Sequence, residues 1–157
     1  MQNRTPAKVV LIGTGGSGKS ALANALNKDH WKGIIGDTWT NIDQDLAQTD
    51  GVDMHEVEMN SSAITQSSHI YLWDLGGQEA YMATHPFFFD KDAIFVVVFS
   101  LKPPNTRQDM HFNIQQIKTK TELFLRAILA KCNNGTGSTP PQILLVGTQA
   151  DTVTPAA

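Results

Sequence analysis

Gly13-Thr14-Gly15-Gly16-Ser17-Gly18-Lys19-Ser20 fits the pattern G-x-x-x-x-G-K-[ST] at every fixed position, and its two flanks decide the fold. The preceding Val9-Val10-Leu11-Ile12 is short, β-branched and apolar, as a buried strand requires. The following Ser20-Ala21-Leu22-Ala23-Asn24-Ala25-Leu26 is rich in strong helix formers. Strand, glycine loop and helix in that order make a phosphate cradle. The glycines let consecutive backbone N–H groups point into one concavity, and the helix adds the positive end of its dipole. Gly13, Gly15, Gly16, Ser17 and Gly18 form that wall. Lys19 is placed to reach the outer oxygens of a polyphosphate, and the Ser20 hydroxyl to enter the shell of a Mg²⁺ that bridges two phosphates. A merely flexible Gly/Ser turn has no need of Lys19 and Ser20 at those places.

Working outward, 157 residues with 41% hydrophobic and 17% charged side chains can bury one substantial core and are too few for two domains of ordinary size. Twelve Lys and Arg stand against fifteen Asp and Glu, a net charge of −3 with no block of one sign, so neither nucleic acid nor an anionic membrane is an expected partner. No apolar run is long enough to span a bilayer, no secretory leader or myristoylation glycine opens the sequence, and Cys132 is the single cysteine. The expectation is a cytoplasmic protein without an internal disulfide or a cysteine-based metal site, with Cys132 at a half-buried helix position.

From Asn27 to Thr49 no helical or strand period is sustained, and the segment reads as a long loop in which Trp31 and Trp39 either pin the chain to the core, the first reading, or form a partner surface. Val52, Val57 and Met59, with polar residues between them, suggest an extended strand that ends in the turn Asn60-Ser61-Ser62, and Ile70-Tyr71-Leu72-Trp73 reads as the strand returning beside it. Ile94-Phe95-Val96-Val97-Val98-Phe99 and Ile143-Leu144-Leu145-Val146 are uninterrupted apolar runs, the pattern of parallel strands covered on both faces. Between them Met110, Ile114, Ile117, Leu125, Ile128 and Cys132 recur at helical spacing and predict a long helix whose stripe packs on that sheet. It stops at the turn-rich Asn133-Asn134-Gly135-Thr136-Gly137-Ser138-Thr139-Pro140-Pro141.

Two further segments complete the chemistry. Asp74 follows an apolar strand and opens Asp74-Leu75-Gly76-Gly77-Gln78-Glu79, so its carboxylate emerges at the strand end that faces the phosphate loop, where a Mg²⁺-holding acid is needed. Gly77 can bring its N–H close to a terminal phosphate, and Gln78 carries an amide able to orient an attacking water. Gly147-Thr148-Gln149-Ala150-Asp151 follows the last strand, where a carboxylate at Asp151 can accept from guanine N1–H and the exocyclic amine. Adenine lacks that donor pair.

The three sites in this order resemble a small Ras-type GTPase. Tyr71-Leu72-Trp73-Asp74-Leu75-Gly76-Gly77-Gln78-Glu79, then Tyr81 and Thr84-His85-Pro86-Phe87, is similar to the Roc domain of ROCO proteins and of related death-associated kinases, where W-D-x-x-G-Q-E precedes Y-x-x-T-H-P. Thr49-Asp50-Gly51-Val52-Asp53 resembles the family's T-x-G-[IV]-D switch element, and Thr148-Gln149-Ala150-Asp151 its T-H-x-D base-recognition motif. The resemblance implies that Thr49 senses Mg²⁺ and the terminal phosphate, with Thr38 and Thr40 as alternatives in the same loop. Thr49 lies 29 positions after Ser20, which implies an insertion. Gln149 stands where the family often has His or Lys, a change that weakens packing against the base plane. Ras-like domains continue into a further helix, a sixth strand and a final helix, whereas this chain ends at Ala157, six residues beyond Asp151.

These readings together predict an α/β fold of the three-layer P-loop NTPase type. It is a single domain over residues 1–157 with a mostly parallel Ras-like sheet, helices on both faces and a C-terminal truncation. The expected function is a GTP-binding switch with slow Mg²⁺-dependent hydrolysis to GDP, catalysed through Lys19, Thr49 and Gln78, within a larger multidomain signalling protein. Arg4, Arg107 and Arg126 are the only arginines, and none lies in the switch segments to serve as an internal arginine finger. Protein partners, or an adjacent COR-type domain, are expected to meet the segment after Gln78, where Phe87-Phe88-Phe89 is either core or a docking surface. Two alternatives stand beside this reading: a nucleotide-gated interaction module without turnover, and an ATPase or nucleotide kinase, since the phosphate loop itself does not choose a base.

Overall fold

The computed structural model describes residues 7–27, 49–59, 68–103, 107–133 and 139–153. In chain order these form β1 (Ala7–Gly13), α1 (Lys19–Asn27), β2 (Val52–Met59), β3 (Ser68–Leu75), the single-turn α2 (Glu79–Met82), a 3₁₀ turn (His85–Phe88), β4 (Ile94–Ser100), α3 (Arg107–Cys132), β5 (Gln142–Thr148) and a second 3₁₀ turn (Ala150–Thr152). Trp31, Trp39, Thr38, Thr40 and the turn at Asn60-Ser61-Ser62 lie outside the described residues.

The five strands form one sheet in the order β2-β3-β1-β4-β5. β1 is central and parallel to both neighbours, Val10 standing opposite Trp73 of β3 and Phe95 of β4. β4 and β5 are parallel in turn, and β2 alone is antiparallel, paired with β3 from Val52↔Leu75 to Met59↔Ser68. The chain thus leaves β1 toward one edge of the sheet and returns through β4 to the other. The strand order reverses at the carboxyl end of β1, the place where open α/β sheets take ligands.

Strand alternation divides the core between the two faces. Val10, Ile12, Phe95 and Val97 point to the α3 side and pack with Phe89, Phe124, Ile128 and Cys132. Leu11, Leu72, Val96 and Val98 point to the other side and pack with Leu22, Ala23 and Leu26 of α1. Both faces of β1 and β4 are therefore dry, which is why their sequences are uninterrupted apolar runs. The result is the helix, sheet, helix layering of a P-loop NTPase.

Three expectations are corrected here. β5 carries the same kind of apolar run as β4 but is an edge strand, with Leu144 and Leu145 more than half exposed. It is not covered on both faces. On α3, Ile114 is exposed, while Phe124, outside the expected stripe, is buried beside Ile128 and Cys132. Cys132 is fully rather than half buried, and burial together with the nearby Asp90 raises the pKa of its thiol. The three phenylalanines divide: Phe87 is 82% exposed, Phe88 packs against the core and Phe89 is part of it.

Candidate functional site

The phosphate loop is shaped by its glycines at specific points. Gly16 and Gly18 have φ of +73° and +86°, backbone that side chains adopt only at a cost, and the two residues turn the chain out of β1 and into α1. A Cβ at Gly18 would also lie 3.2 Å from Thr148 Oγ1. That closeness has a use, because Thr148 Oγ1 donates to the Ser17 carbonyl at 2.6 Å and so ties the end of β5 to the phosphate loop.

Lys19 opens α1 and is buried, its ammonium donating to the Thr14 carbonyl at 3.0 Å across the loop. Burial lowers its pKa, and the nearby Asp74 carboxylate opposes that shift only in part. The head group is thus held out of water at the mouth of the cradle with its charge incompletely compensated. An anion placed there relieves that cost.

Asp74, the penultimate residue of β3, is also buried. Its Oδ2 accepts from Ser20 Oγ at 2.5 Å and from Thr49 Oγ1 at 3.2 Å, and the two hydroxyls lie 2.8 Å apart. Three residues from an α-helix, a loop and a strand therefore converge on one point beside Lys19. The hairpin explains how Thr49 reaches it. Val52 pairs with Leu75, and the Gly76 N–H donates to the Gly51 carbonyl at 2.7 Å, which lays residues 49–51 alongside the end of β3.

The cluster also fits a hard divalent cation. Asp74 Oδ1 is buried without a partner, and the surrounding donors are hydroxyl and carboxylate oxygens. Among the described residues no group of three His, Cys, Asp or Glu could hold a metal by itself. One carboxylate and two hydroxyls suit a Mg²⁺ that completes its shell with ligand phosphates and water.

The segment after Asp74 folds over the loop. The Gly15 N–H donates to the Gly77 carbonyl at 2.8 Å, and a Cβ at Gly77 would fall 2.5 Å from both Gly15 N and Lys19 Nζ. Only glycine fits between the cradle and the lysine.

A family described as "Ras of Complex, Roc, domain of DAPkinase" matches residues 8–134. The chain belongs to this family. Roc domains are Ras-like GTPase domains. This Roc domain is 28% identical over 149 residues to the probable serine/threonine-protein kinase roco11 of Dictyostelium discoideum, covering 94% of this chain and 9% of that protein. It is 27% identical over 111 residues to the probable serine/threonine-protein kinase qkgA of the same organism, covering 71% of this chain and 6% of that one. The chain therefore spans less than a tenth of the length of these relatives. Among solved structures, Roco2 RocCORdC of Methanosarcina barkeri bound to GDP superposes with a TM-score of 0.60 at 24% identity, over 94% of this chain and 36% of that one.

The remaining expected residues of this Roc domain sit at the same end of the sheet but are not drawn into the cluster. Gln78 is half-buried and caps α2 with extended backbone. Gln149 adopts a left-handed φ of 57°, and its Oε1 accepts from Ser100 Oγ at 2.5 Å, which fixes its side chain to the end of β4. Asp151 is exposed in the short 3₁₀ turn that follows β5. Tyr81 of α2 donates to the Asp50 carboxylate, joining the segment after Gln78 to the neighbour of Thr49. Lys120 of α3 pairs with the exposed Glu79 at 2.5 Å. Sequence reasoning assigned no role to His85, which is buried against this site with Nε2 3.0 Å from the Gly76 carbonyl. The motif Thr84-His85-Pro86 was the available signal, but it does not say where the ring points.

Proposed function

We propose that this Roc domain binds GTP with Mg²⁺ and hydrolyses it slowly to GDP, acting as a switch within a longer cytoplasmic signalling protein. The observation that carries the reading is the convergence of Ser20, Thr49 and Asp74 beside the buried Lys19. Each residue then has a distinct task. The loop N–H groups and the Lys19 ammonium bind the phosphates, Ser20 and Asp74 would hold the cation, and Thr49 would join them when a terminal phosphate is present. When bound, Mg²⁺ neutralises phosphate charge. Gly77 offers its N–H to the terminal phosphate, and Gln78, half-buried at the start of α2 with its side chain making no capping hydrogen bond there, holds the attacking water. Thr49 and Gln78 lie on the two segments that change between nucleotide states. The GDP in the Roco2 structure supports a guanine ligand here.

Competition between GTP and ATP for the wild-type chain tests the base, and replacing Asp151 tests its cause. Asp151→Asn presents an amide donor where guanine also presents donors, so GTP affinity is expected to fall by on the order of 2–4 kcal/mol while xanthosine triphosphate gains. Titration with both triphosphates measures the exchange. A variant that holds GTP as tightly as wild type would leave Asp151 as a turn residue, and equal binding of ATP and GTP would favour an ATPase or nucleotide kinase.

The exposed Phe87, close after α2, favours a second, compatible reading in which this segment docks an adjacent COR-type domain. Exposed Leu144 and Leu145 on the edge strand likewise support a domain that continues with another strand and helix beside β5. Turnover separates a hydrolase from a docking module. Gln78→Leu is expected to lower single-turnover hydrolysis by about a hundredfold and to change GTP affinity only a few fold, because the amide acts on water rather than on bound nucleotide. Phosphate release after rapid mixing with Mg²⁺ measures this, and equal rates would remove Gln78 from the reaction.

A further inference from the structure

We propose that His85 is a positioning residue that fixes the Gly76–Gly77 peptide, and thereby aims the Gly77 N–H at the terminal phosphate of a bound nucleoside triphosphate. The inference rests on the nucleotide-binding reading above and assigns the residue that makes that site sensitive to the third phosphate.

Gly76-Gly77 is, with Gly15-Gly16, one of the two Gly-Gly dipeptides of the chain, and its central peptide can turn over at little steric cost. The fold holds it by separate contacts. The Gly76 N–H donates to the Gly51 carbonyl at 2.7 Å, the Gly77 carbonyl accepts from the Gly15 N–H at 2.8 Å, and the Gly76 carbonyl lies 3.0 Å from His85 Nε2. The fourth polar group of the pair is the Gly77 N–H. It shares a planar trans peptide with the Gly76 carbonyl, so the two point in opposite directions. A ring that holds the oxygen on one side therefore turns the N–H to the other, and Gly77 itself sits against Lys19 Nζ and Gly15 N.

His85 is built to hold rather than to react. Its ring is 3% exposed and stacks on Phe124 of α3, with centroids 6.4 Å apart and planes at 28°. Pro86 follows it in the 3₁₀ turn, and the Thr84 hydroxyl donates to the Tyr81 carbonyl at 2.7 Å, which anchors the turn to α2. Nδ1 is buried without a partner, so the ring is stable as the neutral tautomer that carries its proton on Nε2 and donates to Gly76. Burial and the positive charge of Lys19 both lower its pKa, in keeping with that state.

The test compares three variants of the full chain by titration with GDP and with a slowly hydrolysed GTP analogue. His85→Leu is expected to reduce the ratio of analogue affinity to GDP affinity about tenfold relative to wild type, with GDP affinity itself held within about threefold. His85→Gln, whose amide nitrogen reaches the Nε2 position, should restore most of the ratio. His85→Asn, whose amide nitrogen matches Nδ1 instead, should not. An unchanged ratio in His85→Leu, an equal loss of both nucleotides, or identical behaviour of Gln and Asn overturns the assignment. Nitrogen-15 spectra of the histidines in the wild-type chain add a readout that needs no variant. The expected tautomer has its proton on Nε2, and a proton on Nδ1 overturns the proposal. A wild-type chain that binds neither nucleotide would instead defeat the nucleotide reading, and this inference with it.

Discussion

Lys19→Ala is expected to lower GTP and GDP affinity by at least about a hundredfold, because it removes a cation whose bonds to phosphate form in a desolvated site, where charged hydrogen bonds are strongest. No second lysine or arginine enters the cluster of Ser20, Thr49 and Asp74 among the described residues. The same substitution should leave the ligand-free protein as stable as wild type, or slightly more so. The Lys19 pKa is lowered chiefly by burial, which means that folding takes its ammonium out of water with incomplete compensation from Asp74. Below its ordinary pKa the charged lysine therefore opposes folding, and that penalty disappears with the side chain. Calorimetric titration together with thermal unfolding at neutral pH, with and without nucleotide, separates the two effects. Retained affinity in Lys19→Ala would mean that the cradle does not bind phosphate.

Gly13→Ala should act in the opposite way, on the fold before the ligand. A Cβ at Gly13 would lie 2.2 Å from the Val98 carbonyl oxygen and 3.0 Å from Ser17 Oγ. The first of these is backbone of β4, directly opposite in the parallel ladder, and β1 cannot retreat because β3 holds its other side. Relief requires prising apart the two central strands at the point where the phosphate loop begins. The expected destabilisation is about 3 kcal/mol or more, a large share of the 5–15 kcal/mol that a domain commonly has. Gly16→Ala is the contrasting case, since nothing lies within 4 Å of its Cβ and only the positive φ opposes it. Its cost should be about 1–2 kcal/mol. Urea unfolding of both variants measures the difference, and equal midpoints would show that β4 yields at Val98.

The legible parts of this site were those where local chemistry restricts residue choice. Gly13 to Ser20 could be read because glycine torsions, a lysine and a hydroxyl are each required at fixed offsets. Asp74 could be read because an acid directly after an apolar strand emerges at the end of the sheet that carries the cradle. Thr49 is different. Its approach to Ser20 across 29 positions depends on the pairing of β2 with β3, which sets Gly51 beside Gly76, and no local pattern reports that register. The apolar run of β5 could not reveal its exposure, since an edge strand and a central strand can share one composition while differing only in what lies beside them. On α3 the spacing gave the helix, but the geometry of the sheet chose Phe124 over Ile114 as the inward residue. His85 is one of five histidines, and its place was set by a contact with a backbone carbonyl, which leaves no mark on residue type. Gln78 and Asp151 had roles that refer to a ligand, so their positions, the first half-buried and the second exposed, are ready for those roles without displaying them.

The burial of Cys132 has a practical side for the spectroscopist. It is the single sulfhydryl of the 157 residues, and both its enclosure and its raised pKa keep it from the thiolate form that reacts with maleimide dyes. The chain is thus close to chemically silent as it stands. A label introduced through Phe87→Cys, at a side chain already 82% exposed, can be attached without first removing the native thiol. The emission of such a dye would follow the segment beyond Gln78 in real time as nucleotide is exchanged, against almost no background.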